Sequence, residues 1–336
     1  MLLTNEQFEK EQLAGAPPPV EGVSLADQVI VITGGNTGLG LEAAKHYAIR
    51  GPQKVIIVCR NEKKGQDAVE RIKAETGFQN VDLWIADFAD FESVKALKPK
   101  IDALDRLDIL IENAGIASQE YEITKDGWEA SLQVNVLGPA LHVFLSLPKL
   151  LSTGQKHPET TPRVVMVSSD VHYWAKFPAE VINAPKPLEA MSQRENWVSS
   201  NRYLESKALD VMFARTLQSH LSNSITICAL NPGFCTTELN RTITGPAAEH
   251  VVALRKKLGL TAEEGSRQLL FAGIGQRESE SKLRGAYVSF SRVSECSDFI
   301  LSEDGRKLEG SMWRELVDVL GGVDETVKGV VEEYLS

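Results

Sequence analysis

Short runs of β-branched and aliphatic residues, alternating with longer helical patterns, constrain this chain more than any other feature. The runs fall at Val29–Thr33, Lys54–Cys59, Val81–Ala86, Ile109–Glu112, Arg163–Val167, Ser224–Leu230 and Ala286–Ser289. Four of the first five are apolar at successive positions, as in VIVIT, VIIV, DILI and RVVMV. A strand apolar on both sides must be covered on both sides, which is the condition of a parallel sheet between helical layers. The intervening patterns, Leu39–Arg50, Glu62–Glu75, Phe91–Leu104, Thr124–Leu151 and Tyr203–His220, are long enough to be crossover helices. Repeated β-α-β units predict a right-handed, doubly wound α/β sheet with helices on both faces and ligands at the carboxyl ends of the strands. At 336 residues, 43% of them hydrophobic, the chain can fill such a core. The reading is one domain over 29–290, preceded by a surface segment 1–28 with its brake at Pro17-Pro18-Pro19 and followed by a helical extension 291–336.

The first strand leads into Thr33-Gly34-Gly35-Asn36-Thr37-Gly38-Leu39-Gly40 and then into a helical pattern. Glycines at 34, 38 and 40 meet three needs of a dinucleotide turn: tightness, close approach of backbone to pyrophosphate, and close packing of helix on strand. The pyrophosphate then faces free amides at a positive helix end. This makes the domain a Rossmann fold. The second strand ends Val58-Cys59-Arg60-Asn61, without the acid that commonly binds the 2′-hydroxyl of NAD. Arg60, with Lys63 and Lys64 nearby, suits a 2′-phosphate and predicts NADP(H).

Tyr203-Leu204-Glu205-Ser206-Lys207 opens a helical pattern, so the phenol and the ammonium share one helix face. A free tyrosine titrates near 10, and a fixed cation beside it would draw that value toward the working range of a general acid–base. The fifth strand ends in Ser168-Ser169, where a hydroxyl could steady a developing oxyanion.

Composition narrows the partners. Thirty-six Lys and Arg against 46 Asp and Glu give a net charge of −10, which argues against nucleic acid or an anionic membrane surface. No uninterrupted apolar run reaches the roughly 18 residues of a membrane helix, and the polar start MLLTNEQFEKEQ is unlike a secretory signal. Cys59, Cys228, Cys235 and Cys296 have no metal-ligand spacing and are too few for a disulfide framework, so no metal is expected. A cytoplasmic protein with reduced thiols is expected.

Together these residues resemble the short-chain dehydrogenase/reductase family in its non-extended branch, over about residues 27–290. The resemblance implies further roles in the family's order. Asp87 would contact the adenine, with Phe88 in place of the usual small aliphatic residue. Asn113-Ala114-Gly115 matches the motif after the fourth strand. Asn135 looks like the asparagine that holds a proton-relay water. Ser169, Tyr203 and Lys207 match the catalytic serine, tyrosine and lysine. Asn231-Pro232-Gly233 through Thr237 resembles the segment that binds the nicotinamide amide. The cofactor turn itself would contribute Gly34, Asn36, Thr37, Gly38, Leu39 and Gly40. CRNEKKG, VSSDVH and NPGFCTTEL are most similar to retinol-dehydrogenase-like and fungal tailoring reductases. That similarity implies NADP(H)-linked interconversion of carbonyl and alcohol on a lipophilic small molecule, in the direction of a ketone or aldehyde reductase. A non-catalytic NADP(H)-binding sensor or scaffold is the rival, and an epimerase or dehydratase that retains its cofactor is a second. The family pairs through its long helices, here Thr124–Leu151 and Tyr203–His220, so a monomer or a homodimer is expected.

Ser169 and Tyr203 are 34 residues apart, more than is usual in the family. The extra length, 170–201, carries Tyr173, Trp174, Phe177 and Trp197 and is expected either to wall the substrate site, with His172 and Tyr173 pointing inward, or to be a surface excursion that packs its own aromatics. Residues 234–260 are expected to form a lid, and Thr261-Ala262-Glu263-Glu264 a capped helix start. The stripe Trp313, Leu316, Val317, Leu320 and Val327–Leu335 is expected to pack on the same domain or to cover a partner subunit.

Overall fold

In the computed structural model, which describes residues 3–221, 224–240 and 245–335, the apolar runs are buried strands. They are β1 Val29–Thr33, β2 Lys54–Cys59, β3 Val81–Ile85, β4 Ile109–Glu112, β5 Arg163–Val167, β6 Thr226–Asn231, β7 Tyr287–Ser289 and β8 Arg292–Ser294. Their order in the sheet is β3-β2-β1-β4-β5-β6-β7-β8, parallel throughout except for β8. Alternate residues serve opposite cores. Val31, Val58, Leu110 and Val164 belong to one cluster, while Ile32, Ile57, Ile111 and Val165 belong to the other. That is why the strands carry no polar alternation.

The helices that matter here are α1 Asn5–Leu13, α2 Gly38–Ala48, α3 Glu62–Thr76, α4 Gly138–Lys156, α5 Ser199–His220, α6 Gly245–Leu258, α7 Ala262–Ile274, α8 Glu303–Val323 and α9 Glu325–Tyr334. Helices α2, α3 and α7 cover one face of the sheet through Leu41, Ile72 and Leu269. Helices α4 and α5, with α8 and α9 outside them, cover the other through Phe144, Leu209, Leu316 and Val327. The expected cap at Thr261 is present: Glu264 N–H donates to Thr261 Oγ1 (3.1 Å), and Thr261 N–H donates to Glu264 Oε2 (2.8 Å).

Several boundaries differ from expectation. The pattern 91–104 is two short helices, Phe91–Lys95 and Lys98–Asp102, because Pro99 opens the second. The pattern 124–151 becomes helical only at Ala130, after a turn through Gly127 at φ +86°, and passes through a π-helical turn, Gln133–Leu137, before α4. The sheet runs beyond 290, since Phe290 and Ser291 form a two-residue turn at φ 47° and 56° that returns the chain as β8. Residues 1–28 are more than a surface segment: Leu3 and Gln12 on and beside α1 are buried. Residues 241–244 of the expected lid lie outside the described residues. Among the described residues one stretch, Ala130–Lys156, is long and apolar enough to cross a membrane, and its most apolar window is 83% buried within the fold.

The C-terminal helices occupy the outer side of α4 and α5. Trp313 sits against Phe144 (5.8 Å) and Phe213 (6.3 Å) and stacks on His220 (5.0 Å between ring centroids). The Glu315 carboxylate accepts the backbone N–H groups of Leu188 (2.6 Å) and Glu189 (2.8 Å), which ties the extension to the 170–201 insertion.

Candidate active site

Strand order reverses between β1 and β4, and the crevice at their carboxyl ends opens into a cavity of about 540 Å3. The glycine turn forms one wall. Gly34 has φ +65°, and a Cβ there would lie 2.8 Å from Asn113 Nδ2. A Cβ on Gly40 would lie 2.5 Å from the Gly34 carbonyl oxygen, so any larger residue would separate α2 from β1. The residue before α2, Thr37, makes no side-chain capping bond, which leaves the first amides of an eleven-residue helix available to an anion. Asn36 and Leu39 line the cavity beside them.

The turn is stitched to the neighbouring strand. Asn113 Nδ2 donates to Thr33 O (2.8 Å), while the backbone N–H groups of Asn113 and Ala114 donate to Thr33 Oγ1 (2.8 and 3.0 Å). Asp87, Phe88 and Gly115 line the same side. Arg60 is exposed at the cavity mouth near Lys64. Cys59, where an acid would otherwise stand, donates its thiol to Asn61 O (3.3 Å), and burial raises its pKa. On the opposite side Pro232, Gly233 and Thr237 complete the wall, their turn held by Asn231 Oδ1, which accepts from Gly233 N–H (3.1 Å) and Asp170 N–H (3.2 Å).

The part of the cavity that holds Tyr203 and Lys207 is built on α5. Lys207 Nζ donates to Val167 O (2.9 Å) and to Asp210 Oδ2 (2.9 Å), and stands 5.7 Å from the Tyr203 ring centroid. Two of its three protons are thus engaged, leaving the third for the cavity that Lys207 also lines. Among the described residues the Tyr203 hydroxyl has no hydrogen-bond partner. Burial pushes the Tyr203 phenol above its ordinary value, and Lys207 pulls it only part of the way back. Lys207 thus acts on the phenol in the expected sense, against burial first and Asp210 second. Burial depresses Lys207, but Asp210 and Tyr203 outweigh it and the ammonium stays above its ordinary range. Asp210 itself is pushed up to about 6, burial dominating over Lys207, and its Oδ1 is buried without a partner. At neutral pH both members of the pair are charged.

Ser168 is buried and donates its hydroxyl to Lys207 O (2.7 Å). Ser169 lines the cavity; its Oγ accepts Val171 N–H (3.3 Å), which leaves its own proton free to donate. Asn135, in the π-helical turn, is 2% exposed and does not line the cavity. Its Oδ1 accepts Ile116 N–H (2.8 Å), and its Nδ2 donates to Ile116 O (2.9 Å) and Ser206 Oγ (3.0 Å).

His172 and Tyr173 do not point into the cavity. His172 accepts Ser297 N–H at Nε2 (3.3 Å), meets Ser169 O at Nδ1 (2.8 Å), and is lowered by burial to about 4. Tyr173 donates to Glu295 O. Both face the C-terminal segment, as does Phe177, which stacks on Phe299 (5.0 Å), whereas Trp197 meets Tyr121 edge-on (5.9 Å). From the insertion, only Asp170 and Val171 line the cavity. Sequence reasoning missed Phe8, Ile116, Val134 and Val171 as lining residues. For Phe8 a signal existed, since Thr4-x-x-Gln7 is a capping box that marks a helix start, and the structure forms it. Among the described residues no group of three His, Cys, Asp or Glu could hold a metal.

Short chain dehydrogenase sol3 of Alternaria solani is 34% identical over 283 residues, which is 84% of this chain and 96% of that protein. The chain belongs to the short-chain dehydrogenase/reductase family. It is therefore an oxidoreductase acting on alcohol or carbonyl groups. The family described as short chain dehydrogenase matches residues 28–176 directly. A short chain dehydrogenase/reductase of a Cryptosporiopsis species, dmxR8, is 33% identical over 304 residues, covering 88% of this chain and 91% of its own. Among solved structures, an uncharacterized protein from Mycobacterium paratuberculosis is similar with a TM-score of 0.66 and 25% identity, over 91% of this chain and 97% of that one. The L-sorbose reductase of Gluconobacter frateurii, solved with NADPH and L-sorbose, shares the fold at a TM-score of 0.59 and 20% identity, over 79% and 95% of the two chains.

Proposed function

We propose that this oxidoreductase uses NADP(H) to interconvert a carbonyl and an alcohol on a lipophilic small molecule, working chiefly as a reductase. The observation that carries the reading is a single cavity that joins three features: the uncapped α2 amides, the Arg60 guanidinium and the unpartnered Tyr203 hydroxyl. NADP(H), as in the NADPH-bound fold relatives, would supply the hydride. The α2 amides suit its pyrophosphate and Arg60 its 2′-phosphate. Pro232, Gly233 and Thr237 would hold the amide end, with Asp87 and Phe88 at the adenine end.

Tyr203 gives its proton to the oxygen of the carbonyl group under reduction. Burial holds the phenol above its ordinary pKa, so it keeps its proton at neutral pH until the carbonyl oxygen accepts it. Ser169 donates a hydrogen bond to the same oxygen, and the Lys207 ammonium stabilises the phenolate that remains. Asn135 has its carboxamide committed to Ile116 and Ser206, so we assign it the task of holding the 113–116 turn against α5.

The test follows NADPH absorbance with a panel of apolar ketones and aldehydes, with NADH in parallel. Tyr203→Phe should lower turnover by a factor on the order of 10³, the middle of the range for a positioned acid, with the Kd for NADPH unchanged. Loss of NADPH binding in the variant would overturn the assignment of Tyr203. NADPH binding without oxidation of any carbonyl would overturn the reductase reading.

A further inference from the structure

Helix α1 has little reason to fold for its own burial. Its sequence, NEQFEKEQL, is polar but for Phe8 and Leu13, and Leu13 is 64% exposed. It is nonetheless fixed to three separate parts of the molecule. Gln12, 2% exposed, donates through Nε2 to Phe234 O (3.2 Å) and Leu258 O (3.1 Å), and accepts Phe234 N–H at Oε1 (3.1 Å). That places one amide across both ends of the segment containing α6. Glu9 pairs with Lys257 on α6 (2.7 Å), and Glu11 pairs with Arg292 on β8. Just ahead of the helix, Trp174 of the insertion donates Nε1–H to Leu3 O (3.0 Å).

Phe8 is one helical turn before Gln12, on the same face, and lines the cavity that contains Ser169 and Tyr203. Its ring meets Trp174 edge-on at 5.6 Å, which fixes it in place. The lining of this cavity includes the apolar residues Ile116, Val134, Val171, Leu239 and Val251. The lining cations among the described residues are Arg60 and Lys64, at the mouth, and Lys207, which is already paired with Asp210. Asp170 and Glu238 also line the cavity, the Asp170 carboxylate accepting from the Tyr287 hydroxyl (2.5 Å).

We infer that α1 is the outer wall of the substrate chamber, and that Phe8 is a specificity-determining residue that contacts an uncharged, apolar carbonyl compound. The inference rests on the reductase reading for the reaction but not for the binding. An anionic substrate is disfavoured, because among the described residues the cation beside Tyr203, Lys207, is already paired with Asp210. A polar helix held by four side-chain tethers, with one ring turned inward, is arranged to present that ring.

The test uses the full chain with NADP⁺ bound and prodan, an apolar naphthyl ketone whose emission moves to the blue in a dry cavity. Wild type should bind prodan with a blue shift. Phe8→Ala should weaken that binding on the order of tenfold, the loss of one aromatic contact surface. Phe8→Tyr, which keeps the ring, should return it to within about twofold. The Kd for NADPH should be the same in all three proteins, a result that a merely structural part for Phe8 would not give. Prodan binding equal in wild type and Phe8→Ala would overturn the inference, as would parallel loss of prodan and NADPH binding, or a wild type that does not bind prodan. A protein that binds prodan through Phe8 yet oxidises no NADPH would retire the reductase reading and leave the chamber wall standing.

Discussion

Asp210→Asn tests how the charge at the reacting centre is maintained. Asp210 Oδ2 lies 2.9 Å from Lys207 Nζ, and both groups are buried. At an effective dielectric of about 20, a unit pair at that distance interacts by about 6 kcal/mol, equivalent to at most about 4 pKa units on the ammonium. The asparagine keeps an oxygen for a hydrogen bond and gives back part of this, so a fall of about 2–4 units is expected. Burial, which already depresses Lys207, then acts without its main opponent. The ammonium would then lose its proton at a lower pH than in wild type, where it is held above its ordinary range. The assay is kcat/KM for NADPH-dependent reduction of the best carbonyl substrate across pH, with the Kd for NADPH measured alongside. Wild type should show no descending limb attributable to lysine between about pH 7 and 9, while Asp210→Asn should lose on the order of tenfold across that interval. A variant profile parallel to that of wild type would refute the reasoning, because Lys207 would then keep its charge without Asp210.

Other outcomes follow from the same geometry. Trp313→Ala should cost about 3–5 kcal/mol, as for a buried tryptophan truncated in a core. For 336 residues the unfolding entropy is about 0.7 kcal/mol per kelvin, so the Tm by calorimetry should fall about 4–7 °C, and a change under about 1 °C would contradict the packing described. Arg60→Ala should reduce the preference for NADPH over NADH, in kcat/KM, by about 10–100-fold, the worth of a charge-assisted contact; an unchanged ratio would remove Arg60 from the 2′-phosphate. Burial raises Glu205 to about 7 against the pull of Arg202, and raises Asp170 and Asp210 to about 6. The native state therefore binds more protons than the unfolded chain between about pH 4 and 7, and stability should be lost as pH rises through that window. His172, lowered to about 4, works in the opposite sense but is outnumbered. Tm should accordingly be higher at about pH 5.5 than at about pH 7.5, and Glu205→Gln should flatten the difference; a Tm that rises with pH would refute the sign.

The sheet was legible because its strands are buried on both faces: Val29–Thr33 has no polar residue until its last position, and that pattern admits few alternatives. The glycine turn was legible because close backbone approach tolerates only one residue type at 34 and 40. That Tyr203 and Lys207 stand side by side was legible through helical spacing, while the roles assigned to them come from the family resemblance. What escaped depends on long-range geometry. Nothing local separates Val171, which lines the cavity, from His172 and Tyr173, which face Ser297 and Glu295 more than 120 residues away. Asp210 carries no local mark, since an acid three residues after a lysine on a helix is ordinarily a surface pair and only the fold buries this one. The hairpin to β8 lacks the Asn-Gly signal, its turn being Phe290-Ser291 at positive φ. Helix α1 was hidden by its polarity, since its fixed points are hydrogen bonds to residues 222 and 246 positions away.

The placement of α8 and α9 on α4 and α5 changes what kind of quantity the stability of this protein is. Where two copies cover each other's helices, folding and association share one equilibrium, and dilution alone can melt the assembly. Here Trp313 reaches Phe144 and Phe213 along the same chain. Closing that contact is a unimolecular event, set by the length of the intervening polypeptide and independent of how many molecules are nearby. That one contact should therefore persist on dilution, whether the protein is a monomer or a homodimer.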